Sequence, residues 1–263
     1  MLFDSLSHPT LDGTWIGGKP GESFAAVADN LRRAGAIGAC AVGLPGIGGY
    51  EHQAYFAAAQ AFPQLFPVAA YTGRDGPARE VERIAKVGFK ALKVHPRLLG
   101  VHPKTEMLAP IFAAARANGV TVFLCTYYHD KPGRMIDEDP YWHLVRAVNQ
   151  NPDTRLVLVH GGGVRLMEYA ELCRFSPNIL LDLSFTVQKY GHSAVGQNLA
   201  FLAETFDRRI CIGSDSPEYD VSLTRALADR LTERLPAEKR RNILYRNIST
   251  FVGHPVAAEP AAT

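Results

Sequence analysis

Residues 77–95 read Pro77-Ala78-Arg79-Glu80-Val81-Glu82-Arg83-Ile84-Ala85-Lys86-Val87-Gly88-Phe89-Lys90-Ala91-Leu92-Lys93-Val94-His95, and this stretch holds one whole unit of the fold. Val81, Ile84, Ala85 and Gly88 recur at three- and four-residue spacing, while Arg79, Glu80, Glu82 and Arg83 take the outward positions, the pattern of a helix with one buried face. Pro77 suits a first helical turn, where no N–H donor is needed, and Gly88 suits the left-handed residue that ends a helix. An apolar run of strand length follows at once and closes on polar residues. The pattern predicts a helix over 77–87 and a strand over 89–94.

The same unit recurs on both sides of that stretch. Short apolar and β-branched runs, each closed by Gly, Pro, Ser or a polar residue, alternate with longer stretches of helical period. Strands are predicted at 2–7, 37–42, 66–71, 89–94, 120–125, 156–160, 179–183 and 210–213. Helices are predicted at 22–34, 51–61, 77–87, 106–118, 140–149, 164–174, 194–206 and 222–234. Leu156-Val157-Leu158-Val159 is apolar on both faces, as a strand between a helix layer and a barrel interior must be. Eight such units in unbroken alternation specify a parallel sheet closed into a single (β/α)8 TIM barrel over 1–253. A C-terminal helix over 237–251 is expected to close it, followed by a disordered Ala- and Pro-rich tail over 254–263. No GxGxxG follows the first strand and no GxxxxGK[ST] occurs, which removes the usual nucleotide-binding grounds for an open doubly wound sheet.

Composition narrows the partners. Lys+Arg number 28 against 26 Asp+Glu, a net charge of +2, and the basic residues are scattered, so no field argues for nucleic acid. The uncharged stretch over residues 34–50 is broken by Gly38, Gly43, Pro45, Gly46, Gly48 and Gly49 and cannot supply a membrane helix. A small-molecule partner is the expectation, with a homo-oligomer left open. Cys40, Cys125, Cys173 and Cys211 show no CxxC pairing, and three of them sit in apolar runs, which fits a reducing cytoplasm. Asp4 interrupts the apolar start and no basic segment precedes it, unlike a signal peptide.

In a barrel of this kind the chemistry stands where the strands end. His8, His95, His160 and Asp215 all fall at such ends and would share one mouth. Imidazoles and a carboxylate together are the ligand set of a hydrolytic Zn²⁺ site; equally, a lone strand-end His is often only a hydrogen-bonded structural residue. Lys93 and His95 are two apart, so they share a strand face, with Arg97 close by; this cationic group suits a carboxylate on the substrate. Lys93 could instead be paired with a buried acid such as Asp182. Tyr127-Tyr128-His129-Asp130 and the 131–134 segment after it read as a pocket wall or lid. The Gly-rich 43–50 loop lacks the Lys and Ser/Thr of a phosphate loop.

Four segments in order resemble the amidohydrolase superfamily, and within it the amidohydrolase 2 group of metal-dependent hydrolases and nonoxidative decarboxylases. They are Asp4-Ser5-Leu6-Ser7-His8-Pro9-Thr10, residues 88–97 ending Lys93-Val94-His95-Pro96-Arg97, Leu156 to Gly163 with His160-Gly161-Gly162-Gly163, and Ile212-Gly213-Ser214-Asp215-Ser216-Pro217. The resemblance implies a metal held by two histidines of the first strand, of which only His8 is present because Leu6 stands at the other position. It implies a further ligand histidine on the fifth strand, where Cys125 stands either as a thiolate ligand or as a small buried residue filling the place of a lost one. It makes His160 a ligand or catalytic assistant and Asp215 a ligand and proton shuttle.

The leading expectation is therefore a hydrolase of amidohydrolase type acting on a small, carboxylate-bearing molecule. Asp215 and His160 are its catalytic residues, and Lys93, His95, Arg97 and Tyr127 contact the substrate. One divalent metal, zinc first, would sit on His8, His160, Asp215 and Cys125, and the Leu6 and Cys125 replacements equally allow no ion. The alternatives are a metal-independent lactonase or nonoxidative decarboxylase, and a barrel that binds a ligand without chemistry.

Overall fold

Gly88 takes a φ of +119° and ends the helix Pro77–Val87 where the spacing predicts. The computed structural model describes residues 1–130, 138–254 and 256. Eight strands, β1 Phe3–Ser7, β2 Gly38–Val42, β3 Leu65–Ala70, β4 Ala91–Val94, β5 Thr121–Cys125, β6 Leu156–Val159, β7 Ile179–Asp182 and β8 Ile210–Cys211, form one sheet in sequence order. Every neighbouring pair is parallel. All residues of these strands are buried, as expected where helices cover one face and the barrel interior fills the other.

The ring closes at a seam between β1 and the chain just after β8. Ser5 N–H donates to the Ile212 carbonyl (3.2 Å), Asp215 N–H to Leu6 (2.8 Å), and His8 N–H to Ser216 (2.8 Å). Gly213 makes this approach possible, because a Cβ there would stand 2.6 Å from Ser5 Oγ and 2.7 Å from the Leu6 nitrogen. Asp4 pins the same seam from inside. Its Oδ1 accepts from Ser214 N–H (2.7 Å) and Leu6 N–H (3.1 Å), and its Oδ2 from the hydroxyls of Ser214 (2.6 Å) and Ser7 (2.7 Å). The fold is a single (β/α)8 TIM barrel.

The outer layer comprises α1 Phe24–Arg33, α2 His52–Gln60, α3 Pro77–Val87, α4 Pro96–Leu99, α5 Thr105–Ala117, α6 Pro140–Gln150, α7 Leu166–Arg174, α8 Thr186–Tyr190, α9 Val195–Thr205, α10 Val221–Thr232, α11 Ala237–Arg241 and α12 Asn247–Val252. The short α4 and α8 escape the sequence pattern, since fewer than two turns leave no period to read. The helix expected from residue 164 begins at Leu166, because Gly161, Gly162 and Gly163 all take positive φ in the preceding 3-10 segment. The closing helix is broken into α11, a π segment over Asn242–Arg246, and α12.

Two side chains differ from the sequence reading. Glu80 points inward and is fully buried, and its carboxylate accepts from the Thr72 hydroxyl (2.7 Å), the Thr72 N–H (2.5 Å) and the Gly73 N–H (3.0 Å), tying α3 to the loop after β3. His254, assigned to the tail, instead packs its ring on Phe3 (5.5 Å) and Phe66 (5.9 Å) below the barrel. The rest of the expected tail, Val256 excepted, lies outside the described residues. No helix among the described residues is long and apolar enough to cross a membrane.

Candidate active site

A cavity of about 350 Å³ opens at the carboxyl ends of the strands. His8, Lys93, His95, His160 and Asp215 line its depth, Arg97, Tyr127, His129, Phe185 and Lys189 one wall, and Trp15, Ile16, Leu44 and Glu218 the remainder. Three non-glycine residues have positive φ among the described residues, His160 (69°), Phe185 (62°) and Asp215 (59°), and all three line this cavity. Such strain costs of order 1–3 kcal/mol at each position and gathers where side-chain placement serves function.

His8 anchors the depth of the cavity. Its Nδ1 lies 2.7 Å from the Val42 carbonyl, which can only accept, so the hydrogen sits on Nδ1 and the neutral ring presents a lone pair at Nε2. Lys93 Nζ and Asp215 Oδ1 each lie 3.2 Å from that Nε2. Lys93 is 1% exposed, and burial lowers the pKa of its ammonium, opposed in part by Asp215 and Asp182. Burial and Lys93 lower that of His8, against the pull of Asp215. For Asp215, burial raises the pKa but the surrounding imidazoles and Lys93 outweigh it and bring the carboxyl to about 2. An ionised carboxylate therefore faces the cavity at neutral pH.

The end of β7 clamps His160 on every side. Its N–H donates to Asp182 Oδ2 (3.2 Å), its carbonyl accepts from the Thr186 hydroxyl (2.6 Å), and its Nδ1 lies 3.1 Å from the Ser184 carbonyl. The hydrogen is thus on Nδ1, and Nε2 is left with a lone pair. Burial, assisted by Lys93, lowers the His160 pKa to about 4, so the ring is neutral at pH 7. Asp182 is also held by the Ser5 and Ser184 hydroxyls, so its oxygens serve β1 and β7 rather than Lys93. His95 caps α4 by accepting the Leu98 N–H at Nδ1 (3.4 Å), which leaves Nε2 as its hydrogen-bearing nitrogen.

Two cations flank Tyr127. The Arg97 guanidinium lies 5.1 Å from the ring centroid and Lys189 Nζ 5.2 Å from it, with Lys189 also donating to the Tyr127 hydroxyl (3.1 Å). Phe185 (4.8 Å) and Tyr190 (5.6 Å) complete an aromatic cage around that ammonium. Arg97 Nε is buried without a hydrogen-bond partner. No carboxylate among the described residues lies within ion-pair range of either cation.

The structure thus brings together His8, Lys93, His95, Arg97, Tyr127, His160 and Asp215 from the sequence reading. Trp15 joins them, its ring 5.5 Å from His8, whereas Trp142 stands 57% exposed on α6 away from the cavity. Sequence periodicity does not mark Lys189 and Phe185, because α8, which carries Lys189 and begins just after Phe185, is too short to show a period. Residues 131–134 of the expected lid lie outside the described residues.

Cys125 does not line the cavity. Its thiol donates toward the Tyr127 carbonyl (3.9 Å), and burial raises its pKa despite the Lys93 and Arg97 charges, so it is a thiol rather than a thiolate. No three of His8, His160, Asp215 and Cys125 bring their ligand atoms within 4.8 Å of one another, and Lys93 already engages His8 Nε2. As arranged, these residues do not fit a metal ion. Among the described residues the group that does converge is His102, Glu138 and His143, outside this cavity. There His143 Nε2 is 3.1 Å from Glu138 Oε2, and Lys104 pairs with the other carboxylate oxygen at 3.0 Å.

No curated protein matches the sequence. Among solved structures, an uncharacterized TIM-barrel protein from Bordetella bronchiseptica is similar, with a TM-score of 0.79 at 17% identity over 96% of this chain and 98% of that one. A putative 2-pyrone-4,6-dicarboxylic acid hydrolase from Pseudomonas putida gives 0.68 at 19% identity, over 97% and 98%. 5-Carboxyvanillate decarboxylase from Sphingomonas paucimobilis gives 0.64 at 12% identity, over 97% and 99%. At these identities the likeness is one of fold. The family assignment comes from the sequence itself, since the amidohydrolase family model spans residues 17–253, from the first loop of the cavity through α12. That match covers most of the sequence, and the chain belongs to the amidohydrolase family.

Proposed function

We propose that this protein hydrolyses a small ester, lactone or amide that carries a carboxylate. The observation that carries the reading is an ionised Asp215 facing a cavity whose lining also holds Lys93, Arg97 and Lys189. Arg97 and Lys189 hold the substrate carboxylate by charge-assisted hydrogen bonds, on the wall formed by Tyr127. The carbonyl to be attacked then lies toward the depth, where the Lys93 ammonium and the His95 Nε2–H meet the oxyanion as it forms. Asp215 takes the proton from the attacking water and returns it to the leaving oxygen or nitrogen as the tetrahedral adduct collapses. His160, neutral and fixed by Ser184, accepts a hydrogen bond from that water at Nε2. The similar structure described as a pyrone dicarboxylic acid hydrolase is named for a cyclic ester of this chemical class.

The test is a panel of lactones, esters and amides, each with and without a carboxylate, assayed against the protein and Asp215→Asn. Hydrolysis of carboxylate-bearing members only, reduced about 10²–10⁴-fold in Asp215→Asn, is the expected result. Release of carbon dioxide from aromatic carboxylates without hydrolysis would replace this reading by decarboxylation, the activity named for the similar vanillate enzyme. Ligand-induced thermal stabilisation with no turnover across the panel would leave a binding barrel.

A further inference from the structure

Two ligand atoms bound to one tetrahedral zinc ion at ~2.0–2.1 Å stand about 3.3 Å apart. His8 Nε2 and Asp215 Oδ1 are 3.2 Å apart. With the His8 hydrogen committed to the Val42 carbonyl, both atoms are acceptors, and two acceptors held so close in a buried site need a positive group beside them. Lys93 Nζ, 3.2 Å from the same Nε2, supplies it, reaching across the barrel from β4 and acting on Asp215 through its charge rather than by a direct ion pair. The surroundings fit an ammonium better than an ion: Leu6 offers no donor, Cys125 is turned to the Tyr127 carbonyl, and His160 does not converge with the pair.

We propose that the Lys93 ammonium takes the place of a divalent cation at the His8–Asp215 corner, so that the chain supplies its own positive charge there and excludes an ion. The corner is a latent metal site, opened when the ammonium is removed. This inference rests on the same cavity as the hydrolase reading, but its readout is metal content rather than turnover, so either can fail alone.

The experiment is a zinc titration by calorimetry, with elemental analysis of protein purified without chelator. It is run in a His143→Ala background to remove the other His/Glu cluster. The parent is expected to hold no stoichiometric ion in the cavity. Lys93→Met, close in length and without charge, is expected to bind one equivalent at least tenfold more tightly than the parent, and Lys93→Met/Asp215→Asn to lose that gain. Lys93→Arg, which keeps the charge, is expected to behave as the parent. Should Lys93→Met fail to fold by circular dichroism, Lys93→Gln takes its place, and the parent measurement stands by itself. A stoichiometric ion in the parent that His8→Ala or Asp215→Asn releases would overturn the proposal, as would a charge-removing variant with no gain in affinity.

Discussion

Lys189 is the side chain whose role is most open to a single substitution. Its ammonium is held among Tyr127, Phe185 and Tyr190 and bonds only a phenol hydroxyl among the described residues, so the charge is placed but not neutralised. A hydrogen bond to a charged group contributes about 1.5–3 kcal/mol. Lys189→Ala is therefore expected to raise KM for a carboxylate-bearing substrate by roughly ten- to a hundredfold, with kcat little changed, because the contact is made equally in ground and transition states. Steady-state kinetics on paired substrates checks this: an equal effect on the substrate lacking the carboxylate would remove Lys189 from recognition. Lys189 also shows where a sequence stops being readable. His8, Lys93, His160 and Asp215 stand at strand ends that apolar runs mark plainly, whereas Lys189 owes its position to a five-residue helix whose start, Phe185, is in a left-handed conformation that no residue pattern announces. Cys125 teaches the complementary lesson, since its strand register could be read but the turn of its thiol toward Tyr127 could not.

Among the elements, the 3-10 segment after β6 does most to hold the site. Gly162 has a φ of +76°, and a Cβ on it would stand 2.2 Å from the Tyr169 ring on α7, while its N–H is held by the Thr126 hydroxyl at 2.8 Å. Gly162→Ala thus combines left-handed strain with overpacking, and a loss of about 2–5 kcal/mol follows from roughly 1–2 for the former and 1–3 for the latter. Gly100→Ala is the control, with a φ of +67° and nothing within 4 Å of the added carbon, so only the strain is expected. Urea unfolding of both variants separates the two contributions, and equal losses would mean that the Tyr169 contact costs nothing. The same segment explains why the helix predicted from residue 164 begins at Leu166: periodicity reports which face is buried, and three glycines in left-handed geometry leave that signal intact while the chain turns tightly around His160.

The whole molecule carries a stability signature in Asp4. Burial raises this carboxyl from 3.8 to about 6 in spite of four hydrogen bonds from Ser214, Ser7 and Leu6. The folded chain therefore keeps a proton between about pH 4 and 6 that the unfolded chain has given up, and the contribution of Asp4 to stability falls as pH rises through that window, by of order 3 kcal/mol, then levels off. Asp4→Asn keeps an acceptor for the two backbone donors and removes the titration. Its unfolding free energy is expected to vary less between pH 4 and 6.5 than that of the parent, and an unchanged pH profile in the variant would exclude Asp4 as the source.

The seam that Asp4 braces joins the first strand to the segment just after the eighth. His8 N–H donates to the Ser216 carbonyl and the Leu6 carbonyl accepts from Asp215 N–H, and the same short stretch sets the Asp215 carboxylate beside His8. Closing the cylinder and assembling the reactive corner are one event. With the first seven strands alone, the cavity holds His8, His95, His160 and Lys93 but not Asp215. Under the proposed hydrolysis the base arrives only with the eighth strand, so turnover reports a completed ring.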